Sequence, residues 1–374
     1  MAVCAILGAG AASGVPAGVP PQVRHLEYVV VDGTISVYDI DHGNAFVRQI
    51  PLPQARGVRG VGVSTRDSTL FVSYGGDGGN NGNGSLLCYD LRSDRVLWTR
   101  SYGTGVDSFA LSRDGGTIYL PTGELSRGDE WLVIDARTGD RIATIHGGRG
   151  PHNTVVGVSG KFVYLGGRID KYLYVARTSD NRIVRRVGPL KQDVRPFTVN
   201  GRGTLAFTTA SAFLGFQMSS LTTGKLLYTV GVRRFTFDPA TFKPSTPSHG
   251  ISLSPNEREL YLIDAANSYV HVFDVSRGAR AKPRLVANIA LPDKLVGEES
   301  PCSNDCQRDG WLQHSRDGRY VYVGDSGDVI DTRTRRVTAF LAPLRETRKM
   351  LEIDWRGDRV VSTTSRSGIG YVTR

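Results

Sequence analysis

Five cationic or imidazole side chains and one carboxylate share a single register of this sequence. Arg59, Asp107, His152, Arg195, His249, Gly310 and Lys349 each lie five residues before a turn serine, such as Ser64, Ser112, Ser254 or Ser315, or before its equivalent. Guanidinium and ammonium groups hold carboxylates, and an imidazole titrates near neutral pH. Together they suit proton abstraction next to a carboxylate, as in β-elimination. A cation neutralises the acid group, a base removes the neighbouring proton, and an acid protonates what leaves. In that scheme Arg59 and Arg195 hold the carboxylate. His152 or His249 is the base, with the other histidine or Lys349 as the acid. Asp107, Glu352 and Asn267 join the arginines as substrate-binding residues.

Other chemistries fit the same residues less well. His152 and His249 with Asp107 or Glu352 are metal-ligand types, so a divalent cation is an alternative. Arg59, Arg195 and Lys349 in the same register would repel it, and the expectation is no metal and no cofactor. His314 lies four residues beyond the register, among Val63, Leu111, Val156, Val199, Leu253 and Ile353, and reads as a core histidine. His25, His42, His146 and His271 are placed on outer strands or turns. Asp264 and Asn267, in the segment DAANS, suit an Asx turn at least as well as a site.

The register exists because the chain repeats. FALSRDGGTIYLPTG from Phe109, ISLSPNERELYLIDA from Ile251 and LQHSRDGRYVYVGDS from Leu312 each read as strand, tight turn, strand. WLVIDARTGDRIATI from Trp131 and DVIDTRTRRVTAF from Asp328 supply a second strand pair with an Asp-initiated turn. The inner strands begin near Val58, Val106, Pro151, Val194, Ser248, Asp309 and Arg348, giving seven four-stranded units. That pattern predicts an all-β, seven-bladed β-propeller over residues 23–374, whose first strands line a central channel. LEYVVVDGTISVYDI near the N-terminus would complete the blade begun by MLEIDWRGDRVVSTTS, closing the ring by strand sharing.

These blades resemble the YVTN-type propeller repeat, with its Ser-Pro-Asp-Gly, Tyr-Val-Tyr-Val and Ile-Asp-x-x-Thr-Gly elements echoed across residues 57–374. The resemblance implies the fold. It leaves function open, because such repeats occur in enzymes, in electron-transfer-associated proteins and in passive scaffolds. Propeller lyases such as virginiamycin B lyase and oligogalacturonate lyase look similar in placing histidines at this channel mouth, although no stretch here matches their motifs. A lactonase-like hydrolase and a non-enzymatic binding or scaffold propeller are the alternatives.

With the four strands of each unit lettered A to D in chain order, alternation puts every B–C loop and every D–A loop to the next unit on the face nearest the register, and the longest loops are of these kinds. They are GGDGGNNGNG from Gly75, VRRFTFDPATFKPSTPS from Val232 and PDKLVGEESPCSNDCQRD from Pro292. In the last, Cys302 and Cys306 are placed to close a local disulfide. Residues 1–22 read as a disordered leader or the remnant of a secretory signal, and with the disulfide they suggest a periplasmic or secreted protein.

The chain has 374 residues and a formal net charge of +10. No apolar run reaches the roughly 20 residues of a membrane span. Arg and Lys are scattered over turns in ones and twos, without the basic, aromatic-interleaved stripe of a nucleic-acid interface. The expected partner is a small anionic molecule or an acidic glycan, met by a monomer.

Overall fold

The computed structural model describes residues 22–75, 82–242, 246–304 and 306–364. The first 21 positions, which hold nearly all of the suggested leader, and residues 76–81 of the Gly/Asn-rich loop lie outside the described residues. Twenty-nine strands, numbered β1–β29 in chain order, make seven antiparallel sheets, with two short 3-10 turns as the only helical elements described. The inner strands are β4 (Gly60–Ser64), β8 (Ala110–Leu111), β12 (Pro151–Val156), β16 (Phe197–Val199), β20 (Ile251–Leu253), β24 (Trp311–His314) and β28 (Met350–Arg356). Each starts a sheet at the place the repeat predicts, and the fold is a seven-bladed β-propeller. Blades 1 to 7 are counted from these strands.

Hydrophobic patterning explains the layering. Middle strands such as Glu130–Asp135 and Tyr269–Asp274 are apolar at successive positions and buried on both faces, because each is sandwiched between neighbouring blades. Outermost strands such as Arg95–Ser101 and Arg336–Phe340 alternate, with every second side chain in water. Between blades the cores are continuous. Tyr28, Val30 and Val37 of the closing blade pack with Val61, Leu70, Val72 and Leu87 of blade 1. Each such side chain contributes about 1.5–3 kcal/mol by leaving water, so the ring is held by many blade-to-blade contacts rather than by any one element.

Closure occurs by the expected strand sharing. β1 (Val23–Val31) lies antiparallel to β28 in a continuous register from Val23 opposite Arg356 to Val29 opposite Met350. β2 (Thr34–Asp39) and β3 (Ala45–Pro51) follow outward. The blade holds a fifth strand, β29 (Arg359–Thr363), which pairs with the other edge of β28. This is the strand in excess of seven times four. It lies on the channel side, where Val361, Ser362, Thr363 and Thr364 face Val63, Leu111 and Val156 across a cavity with about 450 Å³ open to water centres.

Candidate functional site

The register converges as the repeat requires. Arg59, Asp107, His152, Arg195, His249 and Lys349 are all 6% exposed or less, at the channel end where the inner strands begin. Gly310 completes the ring with φ +82°, a left-handed conformation that favours glycine. That turn aims the Gly310 and Asp309 N–H groups at Asp325 Oδ2, each at 2.9 Å, and presents the Gly310 carbonyl to His249 Nδ1 at 3.1 Å. A Cβ at Gly310 would lie 2.6 Å from Ile263 Cγ1. Gly310→Ala is therefore expected to cost about 1–3 kcal/mol, read as a lower urea midpoint, and to disturb His249.

The ring's cations are not awaiting an anion, contrary to the expectation from the register alone. The protein supplies carboxylates. Glu124 accepts from Arg59 Nη2 at 3.0 Å, from Arg168 Nη1 at 2.9 Å and from Arg195 Nη1. Asp107 Oδ2 accepts from Arg59 Nη2 at 3.1 Å. On the opposite arc, Arg348 bonds Glu299 at 3.0 Å and Asp309 at 2.7 Å, and Lys349 Nζ lies 3.8 Å from Glu299. Glu124 and Asp107 are 5% and 3% exposed. Burial alone would raise both carboxyl pKa values. For Glu124 the Arg195 and Arg59 guanidinium charges hold it well below the usual range, and for Asp107 the Arg59 guanidinium holds it below. Asp325 goes the other way, pushed well up by burial and then by Glu299 beside it.

The residues missing from the sequence reading come from the places that reading already put on this face. Glu124, Arg168 and Asp325 open B–C loops of blades 2, 3 and 6, just after the strands Thr117–Pro121, Phe162–Gly167 and Tyr320–Gly324. Glu299 and Asp309 come from the loop bearing Cys302 and Cys306. These two cysteines are bonded, as expected. Arg348 and Trp311 each sit one place from a ring position.

Two imidazoles remain at the centre, with ring centroids 6.2 Å apart. His152 donates Nδ1–H to Asp107 Oδ2 at 2.9 Å, since an ionised carboxylate only accepts. Its Nε2 is buried without a hydrogen-bond partner. His249 has Nδ1 3.1 Å from the Gly310 carbonyl and 3.2 Å from Asp309, and its ring lies edge-on to Trp311. Burial first, then the Arg348 and Arg195 charges, push its pKa well below 6.5, so it stays neutral. Both rings line a narrow cavity with Arg59, Asp107, Glu124, Trp311, Arg348 and Lys349. The space open to water centres there is about 20 Å³, room for roughly one water. Asp107, Glu124 and His152 carry donor atoms within 4.8 Å of one another. A metal ion among them would have to displace the guanidinium groups of Arg59, Arg168 and Arg195 from those same carboxylates.

Two other site candidates fall elsewhere. Glu352 lies within β28 (Met350–Arg356), three residues beyond Lys349, against His25, Asp354 and the Arg316 backbone. Asn267 closes an Asx turn, its N–H bonding Asp264 Oδ1 at 3.0 Å and its amide reaching the Thr236 carbonyl. His314 is the core histidine expected. It is 3% exposed, bonded to Ser252 Oγ at 2.8 Å and edge-on to Tyr261. His271 differs from expectation, being fully buried on a middle strand between Asp264 and Asn288, and His25 sits on β1 beside β28.

Among proteins, the class defined so far is a seven-bladed β-propeller with a buried ion-pair ring around two histidines at one channel mouth. No family model and no curated protein matches the chain. Solved structures do match. Hydrazine synthase from Kuenenia stuttgartiensis is similar over 83% of this chain and 87% of that one, at 17% identity and a TM-score of 0.54. A functionally unknown protein from Desulfotomaculum acetoxidans is similar over 87% and 98%, at 12% identity and a TM-score of 0.65. Identities this low carry the fold alone. No helix among the described residues is long and apolar enough to cross a membrane.

Proposed function

We propose that this chain is a YVTN-type propeller enzyme, acting outside the cytoplasm on a small carboxylate-bearing molecule, with His152 abstracting a proton next to the carboxylate. The observation that carries this reading is the Asp107–His152 pair, with Nε2 buried and unpartnered on a ring that lines the cavity. A carboxylate fixes the imidazole and supports the imidazolium that forms when Nε2 takes a proton. Arg59 lines the same cavity and would exchange part of its pairing with Asp107 and Glu124 for the substrate's acid group. His249, held neutral with its Nδ1 proton directed at the Gly310 carbonyl, has no proton to give through its other nitrogen, so the Lys349 ammonium in the same lining would protonate the leaving group. With room for roughly one water, the cavity admits one oxygen of the acid group in place of that water, with the rest of the sugar acid lying above the rim. An oxidising compartment would keep Cys302–Cys306 closed.

One observation favours a second reading, a non-enzymatic scaffold propeller. Each ring cation has a protein carboxylate within 4.0 Å, so the ring can serve as a self-contained ionic plug. Turnover and ligand-dependent melting separate the two. Uronates, sugar acids and lactones are screened for a rise in Tm and for an absorbing unsaturated product. His152→Ala is expected to retain the rise in Tm and to lose turnover by about 10²–10⁴-fold. If no acidic compound shifts the Tm and none is turned over, the scaffold reading stands instead.

A further inference from the structure

The closing blade carries a second cluster, remote in function from the ring and built on the shared strand pair. His25 faces Asp354 and Glu27 faces Glu352 as directly opposite partners of β1 and β28. Residues two apart on a strand share a face, so four metal-ligand types occupy two adjacent rungs of one face. His25 Nδ1 lies 2.7 Å from Asp354 Oδ1 and 3.4 Å from Glu352 Oε1. Donor atoms of these three residues lie within 4.8 Å of one another. Ligands at about 2.1 Å from a tetrahedral ion are about 3.4 Å apart, so small rotamer adjustments reach that spacing.

Glu27 points independently to a missing partner. It is fully buried, and neither carboxylate oxygen has a hydrogen bond. A buried carboxylate without compensation is strongly disfavoured, and its directly opposite neighbour is a second carboxylate. The surrounding charges are few. Arg316 touches Asp354 Oδ2 through Nε at 3.2 Å, and its side chain is 41% exposed. Its backbone N–H bonds Glu352 Oε2, and Ser362 Oγ bonds Asp354. Asp317 on the same turn and Asp41, which bonds the His25 N–H, add negative charge. Three carboxylates and an imidazole thus face one half-exposed guanidinium, whereas at the ring three arginines crowd Glu124. His25, 39% exposed in its side chain, leaves a route from solvent.

We infer that His25, Glu27, Glu352 and Asp354 form a binding site for a first-row divalent cation, Mn²⁺ or Zn²⁺, that ties the N-terminal strand to the C-terminal one. One imidazole with carboxylates suits these ions. Because β1 and β28 come from opposite ends of the chain, the ion would fasten the ring where it closes.

The full chain is stripped of metal, then titrated separately with MnCl₂ and ZnCl₂ by calorimetry and thermal melting. The expected result is one equivalent of one of these ions per chain, with a Tm rise of about 3–4 °C at a hundredfold excess over Kd. Glu27→Gln, Asp354→Asn and the half-exposed His25→Gln are each expected to weaken binding at least tenfold. Arg316→Gln should tighten it, and His152→Ala should leave it unchanged. The assignment is overturned if neither ion binds the wild type, if binding survives Glu27→Gln and Asp354→Asn, or if His152→Ala removes it, which would move the ion to the ring. His25→Gln, on the accessible edge, decides the matter if a buried variant fails to fold.

Discussion

Glu124→Ala is expected to destabilise the protein by about 3–5 kcal/mol, the cost of removing one member of a buried ion-pair network. Its two oxygens serve Arg59, Arg168 and Arg195, which come from the blade 1 register, a blade 3 loop and the blade 4 register. Without it, Arg59 retains Asp107 and Arg195 retains Thr246 as hydrogen-bond partners. Three guanidinium groups then face one carboxylate, Asp107, where they had faced two. Urea unfolding at neutral pH measures the loss. The truncation also leaves space of carboxylate shape among guanidinium groups, so acetate or formate is expected to raise the Tm of Glu124→Ala by more than that of the wild type. A variant as stable as wild type would mean that water compensates these arginines, and would remove the ion-pair account of the mouth. Chemical rescue would show that the ring accepts an external carboxylate once the internal one is gone.

The second large effect concerns acid. Burial pushes the His314 pKa from 6.5 to about 3. In the unfolded chain the ring takes up a proton near pH 6.5, while in the fold it stays neutral until about pH 3. The unfolded state therefore binds more protons throughout that window, and stability rises with pH across it. The contribution is complete above about pH 6.5 and is lost progressively as the pH falls toward 3. Between pH 7 and pH 4 the loss is about 3 kcal/mol, from 1.36 kcal/mol per pH unit below the unfolded pKa. His314→Gln keeps a polar atom for Ser252 and does not titrate. Its stability is expected to fall less than the wild type's between those pH values by about that amount, measured by urea midpoints. Equal acid slopes in the two proteins would show that His314 is already protonated in the folded state.

The two predictions rest on residues whose legibility in the sequence differs. His314 was readable because its neighbours in register, from Val63 to Ile353, are apolar, and a strand's period of two puts one column on one face. The same periodicity read the ring of Arg59, Asp107, His152, Arg195, His249, Gly310 and Lys349. Glu124 was not readable. It occupies a loop whose length differs from blade to blade, so no column aligns it, although its loop type was already assigned to that face. Glu352 misled for a related reason. Its chemical type suited the mouth, but it lies three strand positions further along the channel than Lys349, and the pleat faces it toward His25 and Glu27.

What the sequence determined by itself is what repetition encodes: seven four-stranded blades, closure between the chain's ends and the circle of polar residues at one level, while the spacing of Cys302 and Cys306 permitted a local bond that the structure shows formed. Each follows from spacing within a repeat or between near neighbours. The tertiary structure alone decided what those polar residues mean, because charge compensation depends on through-space distances between blades. It brought Glu124, Glu299, Asp309 and Asp325 onto the ring, converting an apparent cationic site into a compensated one with an unpartnered imidazole nitrogen at its centre. It also laid β1 beside β28, bringing residues 25 and 27 against 352 and 354 across the whole length of the chain. Spacing within a repeat is local information, whereas the balance of a buried charge is settled only by every group that surrounds it.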